Sequence, residues 1–211
     1  MIDTSSLTVL VLAALVLLAT PGPAVLYIVA RSVDQGRRAG IVSTLGIGTG
    51  TLIHVFAATI GVSALLAASA VAFSVVKFLG AGYLIFLGLR RIFGRGEAKD
   101  ATEVRKSGLR RIFWQGFLVN LLNPKTALFF FAFLPQFVDV SLGHLPLQVV
   151  ILGTLFVLMS ILSDGVYAML DGTLGQHLRR NVCFLSAERY IGGGGLIALG
   201  VTTALSGSSK S

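Results

Sequence analysis

Residues 18–24 read Leu-Ala-Thr-Pro-Gly-Pro-Ala and fall in the middle of an apolar run from Leu7 to Arg31. Residues 121–127 read Leu-Leu-Asn-Pro-Lys-Thr-Ala, inside a second run from Ile112 to Val138. At an offset of 103 the two stretches share Leu, Pro and Ala, with a polar residue, Thr20 or Asn123, before the first proline. Proline has no backbone N–H and its ring clashes with the preceding turn, so Pro21, Pro23 and Pro124 predict interrupted helices. Thr20 and Asn123 are good N-cap residues, and proline suits the N1 position that follows. Each run should therefore stop and restart, presenting a fresh helix N-terminus partway along.

The solvent for such helices follows from composition. Of 211 residues, 55% are apolar and 12% charged, about half the charged fraction of a soluble domain. With a mean hydropathy of +0.86, too little polar side chain is left to cover a water-exposed surface. A membrane-spanning helix needs about 20 mostly apolar residues, and six stretches are candidates: Leu7–Arg31, Ala39–Ser69, Ala70–Phe93, Ile112–Val138, Leu145–Leu170 and Tyr190–Leu205. The second and third share one apolar run, with the turn expected near Ser69–Ser74. The sixth, with its Gly192–Gly195 run, is short and should begin earlier or distort the bilayer. The first carries Asp3 rather than a basic leader and is read as a retained span.

The net charge of +8 is an orientation signal. Arg31, Arg37 and Arg38 fall between spans one and two. Eight Lys and Arg fall between Arg90 and Arg111, and Arg179, Arg180 and Arg189 fall between spans five and six. Cytoplasmic loops are enriched in Lys and Arg, so these loops belong inside and both termini outside the cytoplasmic membrane. The loop 94–111 reads as a solvated cytoplasmic segment rather than a nucleic-acid site. A lone Cys183 and three scattered histidines leave no metal-ligand cluster, and the chain lacks a Gly-Lys-Ser/Thr triplet. No metal, cofactor or ATP-driven core is therefore expected.

Three spans per half is an odd number, so halves covering 7–93 and 112–205 would enter the membrane in opposite senses. The expectation is an all-α polytopic membrane protein of one domain, 1–211, built of two inverted three-helix repeats with spans one and four broken. Such repeats mark many secondary transporters. A weaker second match supports the duplication: Thr44-Leu45 with His54 ten residues on, against Thr154-Leu155 with Asp164 ten on. Pro21 lies about 21 Å from Leu7 and Pro124 about 18 Å from Ile112 along their helices, both near the midplane. Two helix N-termini meeting there would bring N–H groups and partial positive charge to one place, a seat for a carboxylate. The alternative is that the breaks are packing kinks.

Ionisable residues inside a span are costly and call for a reason. Lys125 follows the second break, where it could reach a substrate carboxylate or satisfy freed carbonyls. Asp164 suits a substrate amino group or a coupling proton, and His54 a proton relay. By helix depth Lys125 and Asp164 differ by about 11 Å, which argues against a simple ion pair unless the broken helix shifts one of them. Lys77 is expected to snorkel toward the outer interface. Asn120 and Gln136 line a path or glue helices together. Gly46-x-Gly48-x-Gly50 lies in an apolar span, so close helix packing is favoured over a nucleotide loop.

Taken with their order, these motifs resemble the LysE/RhtB family of amino-acid exporters. The likeness is carried by Pro21-Gly22-Pro23, Gln35-Gly36-Arg37-Arg38-x-Gly40, Gly46-x-x-x-Gly50 with His54, Lys77-x-x-Gly80-Ala81-Gly82-Tyr83-Leu84, and Gly116-Phe117-x-x-Asn120-x-x-Asn123-Pro124-Lys125 with Phe133-x-Pro135-Gln136-Phe137. The resemblance implies export of small amino acids or their derivatives, driven by a proton or other ion gradient, by a chain that forms homodimers. It makes Thr20, Pro21, Gly22, Pro23, Asn120, Asn123, Pro124 and Lys125 the candidates for substrate binding, with Asp164 and His54 for proton coupling. A membrane-embedded enzyme, for which only Asp164 and Asp171 approach an interface, and a non-transporting structural subunit are the rival readings. The charge count has a direct test: a reporter fused after Ser211 should read out as external, and a cytoplasmic signal would leave five spans with an interfacial sixth segment.

Overall fold

The computed structural model describes residues 4–20, 22–68, 70–93, 107–169 and 182–205. All regular structure among them is helical: α1 (Thr4–Ala19), α2 (Pro23–Gln35), α3 (Arg37–Ala68), α4 (Ala70–Phe93), α5 (Leu109–Leu121), α6 (Pro124–Leu128), α7 (Leu145–Met169) and α8 (Val182–Leu205). After α6 the chain continues through a π-helical turn, Phe129–Phe133, and a 3-10 turn, Leu134–Phe137. A second 3-10 turn, Val140–Leu142, leads to α7.

Both expected breaks are present. Leu7–Ala19 and Pro23–Gln35 meet at 50°, and Leu109–Leu121 meets Pro124–Phe137 at 48°. Two single helical stretches, Arg37–Gly61 and Leu145–Met169, are long and apolar enough to cross a membrane, or four if each bent pair is one span. The protein is thus an all-helical, multi-pass membrane protein. Helix α8 starts at Val182, eight residues before the expected sixth span, and within its 24 residues the apolar stretch among the described residues is Gly193–Leu205, a shorter helix than a full crossing needs. Helices α3 and α4 part between Ala68 and Ala70, where the turn was expected.

Three expectations are corrected. Arg31, assigned from charge to a loop, lies in α2, which runs on to Gln35, and is 6% exposed. Arg110 and Arg111 belong to the first turn of α5 rather than to a loop ending at residue 111. Lys77 does not snorkel: it is buried, with its ammonium 4.6 Å from the centre of the Phe78 ring. Pro21, residues 94–106, Asp171, Arg179 and Arg180 lie outside the described residues.

Glycine lets the helices approach. Helix α3 packs against α5 and α7, and α4 against α8. A β-carbon at Gly46 would collide with the Phe113 carbonyl oxygen, one at Gly50 would lie 2.9 Å from the Phe117 carbonyl oxygen, and one at Gly116 would lie 2.9 Å from that of Ser43. The Gly46-x-x-x-Gly50 pattern is therefore the α3–α5 seam, as small residues in membrane helices allow. The Gly-rich stretch of α8 has the same use: β-carbons at Gly88 and Gly193 would each press on the other's carbonyl oxygen, at 2.6 and 2.9 Å. Gly36, at φ 81°, makes the turn between α2 and α3 that side chains rarely adopt.

The large apolar cluster joins Leu10, Ala14 and Leu17 of α1 to Phe129, Phe130, Phe133 and Phe156. Phe129 and Phe156 stack at 4.2 Å, and Phe130 meets Phe156 edge-on at 5.3 Å.

Glycine replacements separate packing from helix propensity. Gly46→Ala and Gly88→Ala should lower the thermal midpoint in detergent, because backbone must move. Gly82→Ala, with nothing within 4 Å of its β-carbon position, should raise stability by about 0.5–1 kcal/mol.

Candidate functional site

Each proline removes the N–H that would have served the carbonyl four residues earlier. For Pro21 that carbonyl is Leu17, and for Pro124 it is Asn120. Leu17 O accepts a hydrogen bond from Lys125 Nζ at 2.5 Å, and the same ammonium donates to Thr20 O at 2.5 Å. Asn120 O accepts from His54 Nε2 at 3.1 Å. A carbonyl can only accept, so that ring nitrogen carries the proton. The two carbonyls are 103 residues apart, the offset of the sequence repeat; each keeps a backbone bond from three residues on, Leu17 O from the Thr20 N–H at 3.3 Å and Asn120 O from the Asn123 N–H at 3.0 Å, and a side chain from another helix takes the place of the lost proline N–H.

The second break is built as expected. Asn123 caps α6 with its Oδ1 accepting the Lys125 N–H at 3.1 Å, and Pro124 takes the N1 position. The first break is built differently. Gly22, extended at φ −136°, is the N-cap of α2 and Pro23 is at N1. Thr20 does not cap it: its hydroxyl turns back to donate to Val16 O at 2.7 Å. With two prolines in three residues the restart falls at the second, which leaves Thr20 just past the end of α1.

Asn120 is the hub between the break in span four and α3. Its Nδ2 donates to Ile47 O at 3.0 Å and to Thr51 Oγ1 at 2.8 Å, and its Oδ1 accepts from Thr126 Oγ1 at 3.0 Å and Asn123 Nδ2 at 3.5 Å. A buried amide satisfied on both ends fixes the arrangement of every group that it touches.

These groups surround one cavity of about 40 Å³. Its polar wall is Thr51, Asn120, Asn123, Lys125, Thr126, Ser160 and Asp164, with Gly22 at the start of α2; its apolar wall includes Leu17, Leu18, Val25, Ile47 and Phe156. Ser160 Oγ donates to Asp164 Oδ2 at 3.1 Å. The first turns of α2 and α6 border this space through Ala24, Val25, Lys125 and Thr126, and the first N–H groups of a helix have no partner within it. Lys125 and Asp164, expected from straight helices to differ in depth unless the broken helix shifts one of them, both line this cavity, and the helices on either side of the second break meet at 48°. Of the two roles the sequence suggested for Lys125, its ammonium is seen in one, donating to the carbonyls of Leu17 and Thr20. A cation at a helix C-terminus is favourable there.

Of the expected site residues, Gly22, Asn120, Asn123, Lys125 and Asp164 line the cavity. Thr20 and His54 are held just outside it, each at a helix break. Pro23 and Pro124 set the geometry without lining it. Gln136 is bonded to its own turn, Nε2 to Ala132 O at 2.8 Å. The sequence reading missed Thr51, Thr126 and Ser160, hydroxyls whose types are ordinary in membrane helices. It also missed Arg31, which charge counting had placed in a loop. Replacing the hub tests the network: Asn120→Ala should destabilise the protein by about 1–3 kcal/mol through the polar groups left unpaired. Asn120→Asp, which loses both donated bonds, should destabilise it at least as much in a thermal melt.

Residues 15–207 match the LysE type translocator family. An uncharacterized membrane protein, YrhP, of Bacillus subtilis is 32% identical over 151 residues, covering 67% of this chain and 71% of that protein. An uncharacterized membrane protein of Vibrio cholerae is 30% identical, covering 80% and 82%. A protein of Salmonella typhimurium named leucine efflux protein is 32% identical, covering 70% of each chain. No solved structure matches. With a bent pair in each half, a polar cavity between them and this family match over most of its length, the chain belongs to the LysE type translocator family, a family of transporters rather than enzymes.

Proposed function

We propose that the protein exports neutral amino acids with apolar side chains, leucine among them, from the cytoplasm by alternating access. One observation carries this reading: the restarted N-termini of α2 and α6, the Lys125 ammonium and the Asp164 carboxylate all border one cavity. An amino acid is a zwitterion with an anion and a cation on one carbon. Its carboxylate would take the helix N-terminal N–H groups and Lys125, and its ammonium Asp164. Leu17, Leu18, Val25, Ile47 and Phe156 would face its side chain, and the leucine efflux relatives support an aliphatic one.

The cavity of about 40 Å³ has room for a few water molecules and not for leucine, so binding requires the helices around it to part. In this reading the chain has six spans in two inverted repeats, 7–93 and 112–205, joined by a cytoplasmic loop over 94–111. Both termini are outside the cytoplasmic membrane, and the protein is a homodimer. The matched breaks, and the matched carbonyls that each take a side-chain donor in place of a proline N–H, support the repeat. A proton gradient drives export, with Asp164 as the carrier next to the substrate and His54 as a relay at the second break.

Cells preloaded with leucine and expressing the protein test the reading. Lys125→Ala and Asp164→Asn should each cut efflux by about tenfold or more while remaining monodisperse in size-exclusion chromatography. Normal export by both variants would remove these side chains from the mechanism. Collapsing the proton gradient should slow the unaltered protein and leave the residual efflux of Asp164→Asn unchanged.

A further inference from the structure

The two ends of the cavity are closed by different means. Toward the chain's Phe133 and Leu134, the seal is the interlocked aromatic cluster of the core. Toward Gly36, the buried apolar layer among the described residues is Ile28, Ile47 and Ala168. Beyond that thin layer, polar side chains join α2 to α5. Arg31 Nη2 donates to Gln115 Oε1 at 2.7 Å, and its guanidinium lies 5.3 Å from the centre of the Tyr27 ring. The Tyr27 hydroxyl is 2.9 Å from Ile112 O and 3.3 Å from Gln115 Oε1.

This end is also imperfectly bonded when closed. Ser32 Oγ and Thr44 Oγ1, on residues 3% and 4% exposed, are buried without a hydrogen-bond partner, as is Gln35 Nε2. No such side-chain atom occurs at the aromatic end among the described residues. A buried hydroxyl with no partner is a cost that water would remove, so admitting water here recovers energy. Both helices that would have to separate, α2 and α5, end at a bend next to the cavity.

We propose that Tyr27, Arg31 and Gln115 form the gate between the cavity and the Gly36 face, and that the substrate's carboxylate opens it by replacing Gln115 on Arg31. The inference rests on the reading of the cavity as the substrate site. Gln115 offers Arg31 one neutral amide oxygen. A carboxylate offers two charged ones, and guanidinium binds that shape more strongly. The exchange breaks the Arg31–Gln115 tie between α2 and α5 at the moment when a carboxylate is in the gap, and leaves the Tyr27 hydroxyl on Ile112 O as a weaker, neutral bond that has then to part. Arg31 lies about 12 Å along α2 from Pro23, so the anion passes from the guanidinium to the helix N-terminus in one short step. An amine lacking a carboxylate has nothing to offer Arg31 and leaves the gate shut.

Labelling of a cysteine reporter, Val25→Cys on the cavity wall in a Cys183→Ser background, tests the gate in oriented membrane vesicles with an impermeant maleimide. Arg38→Cys, exposed at the start of α3, marks the Gly36 face in parallel. Without substrate, Gln115→Ala should speed labelling from that face by about tenfold, and Gln115→Glu, which holds Arg31 permanently, should slow it. With Gln115 in place, leucine should accelerate labelling and isopentylamine, the same molecule without its carboxylate, should not. Equal rates for Gln, Ala and Glu at position 115, or labelling gained from the opposite face, would overturn the gate. Isopentylamine matching leucine, or leucine having no effect where Gln115→Ala opens the cavity, would overturn the carboxylate exchange. Leucine efflux from the same vesicles tests the transport reading separately, since the position 115 variants report on the gate with no substrate present.

Discussion

A backbone carbonyl that has lost the N–H four residues on to a proline is the constraint on which this structure turns. In a bilayer no water stands by to satisfy such a group, so a proline inside a membrane helix has to be answered by another part of the protein. Here Leu17 O is answered by Lys125 and Asn120 O by His54. The first bond ties the break in span one to the break in span four. The second ties the break in span four to α3. The prolines thus do more than bend helices: they create acceptors whose satisfaction decides which segments must be neighbours.

The cavity follows from that bonding. With Lys125 committed to the end of α1, the start of α6 is drawn beside Gly22, whose β-carbon position lies 3.6 Å from the Lys125 side chain. Asn120 then fixes the distance to α3 through Ile47 and Thr51. Helix α3 can come close enough for those bonds only because Gly46, Gly50 and Gly116 leave its seam with α5 free of side chains. Polar precision at the centre therefore depends on the absence of side chains one turn away.

Much of this was legible in the sequence, and for physical reasons. Proline acts through its own backbone, so the breaks at residues 21–23 and 123–124 could be read without knowing any neighbour. Asn123 as a cap and Gly46-x-x-x-Gly50 as a seam are likewise local rules. What could not be read depends on partners. The N-cap of α2 moved from Thr20 to Gly22 because two prolines compete for one restart, and the threonine hydroxyl has an equally good acceptor behind it. Arg31 carries the same charge whether it faces lipid headgroups or Gln115, and only the course of α2 decides. The depth estimate for Lys125 and Asp164 assumed straight helices, and the size of the bend at the second break, which it named as the exception, could not be read from the residues.

The glycine contacts between α4 and α8 bear on the order of assembly. The groove along α4 at Ala81, Ile85 and Gly88 is filled by Gly193, Ile197 and Gly200, which lie more than 100 residues later in the chain. Helices α1 to α7 are made before that filling exists, so during synthesis α4 must face lipid, or a chaperone, with its backbone carbonyls uncovered. This close helix contact is thus completed late in biosynthesis, and quality control that inspects the nascent chain has an open surface to detect until α8 emerges.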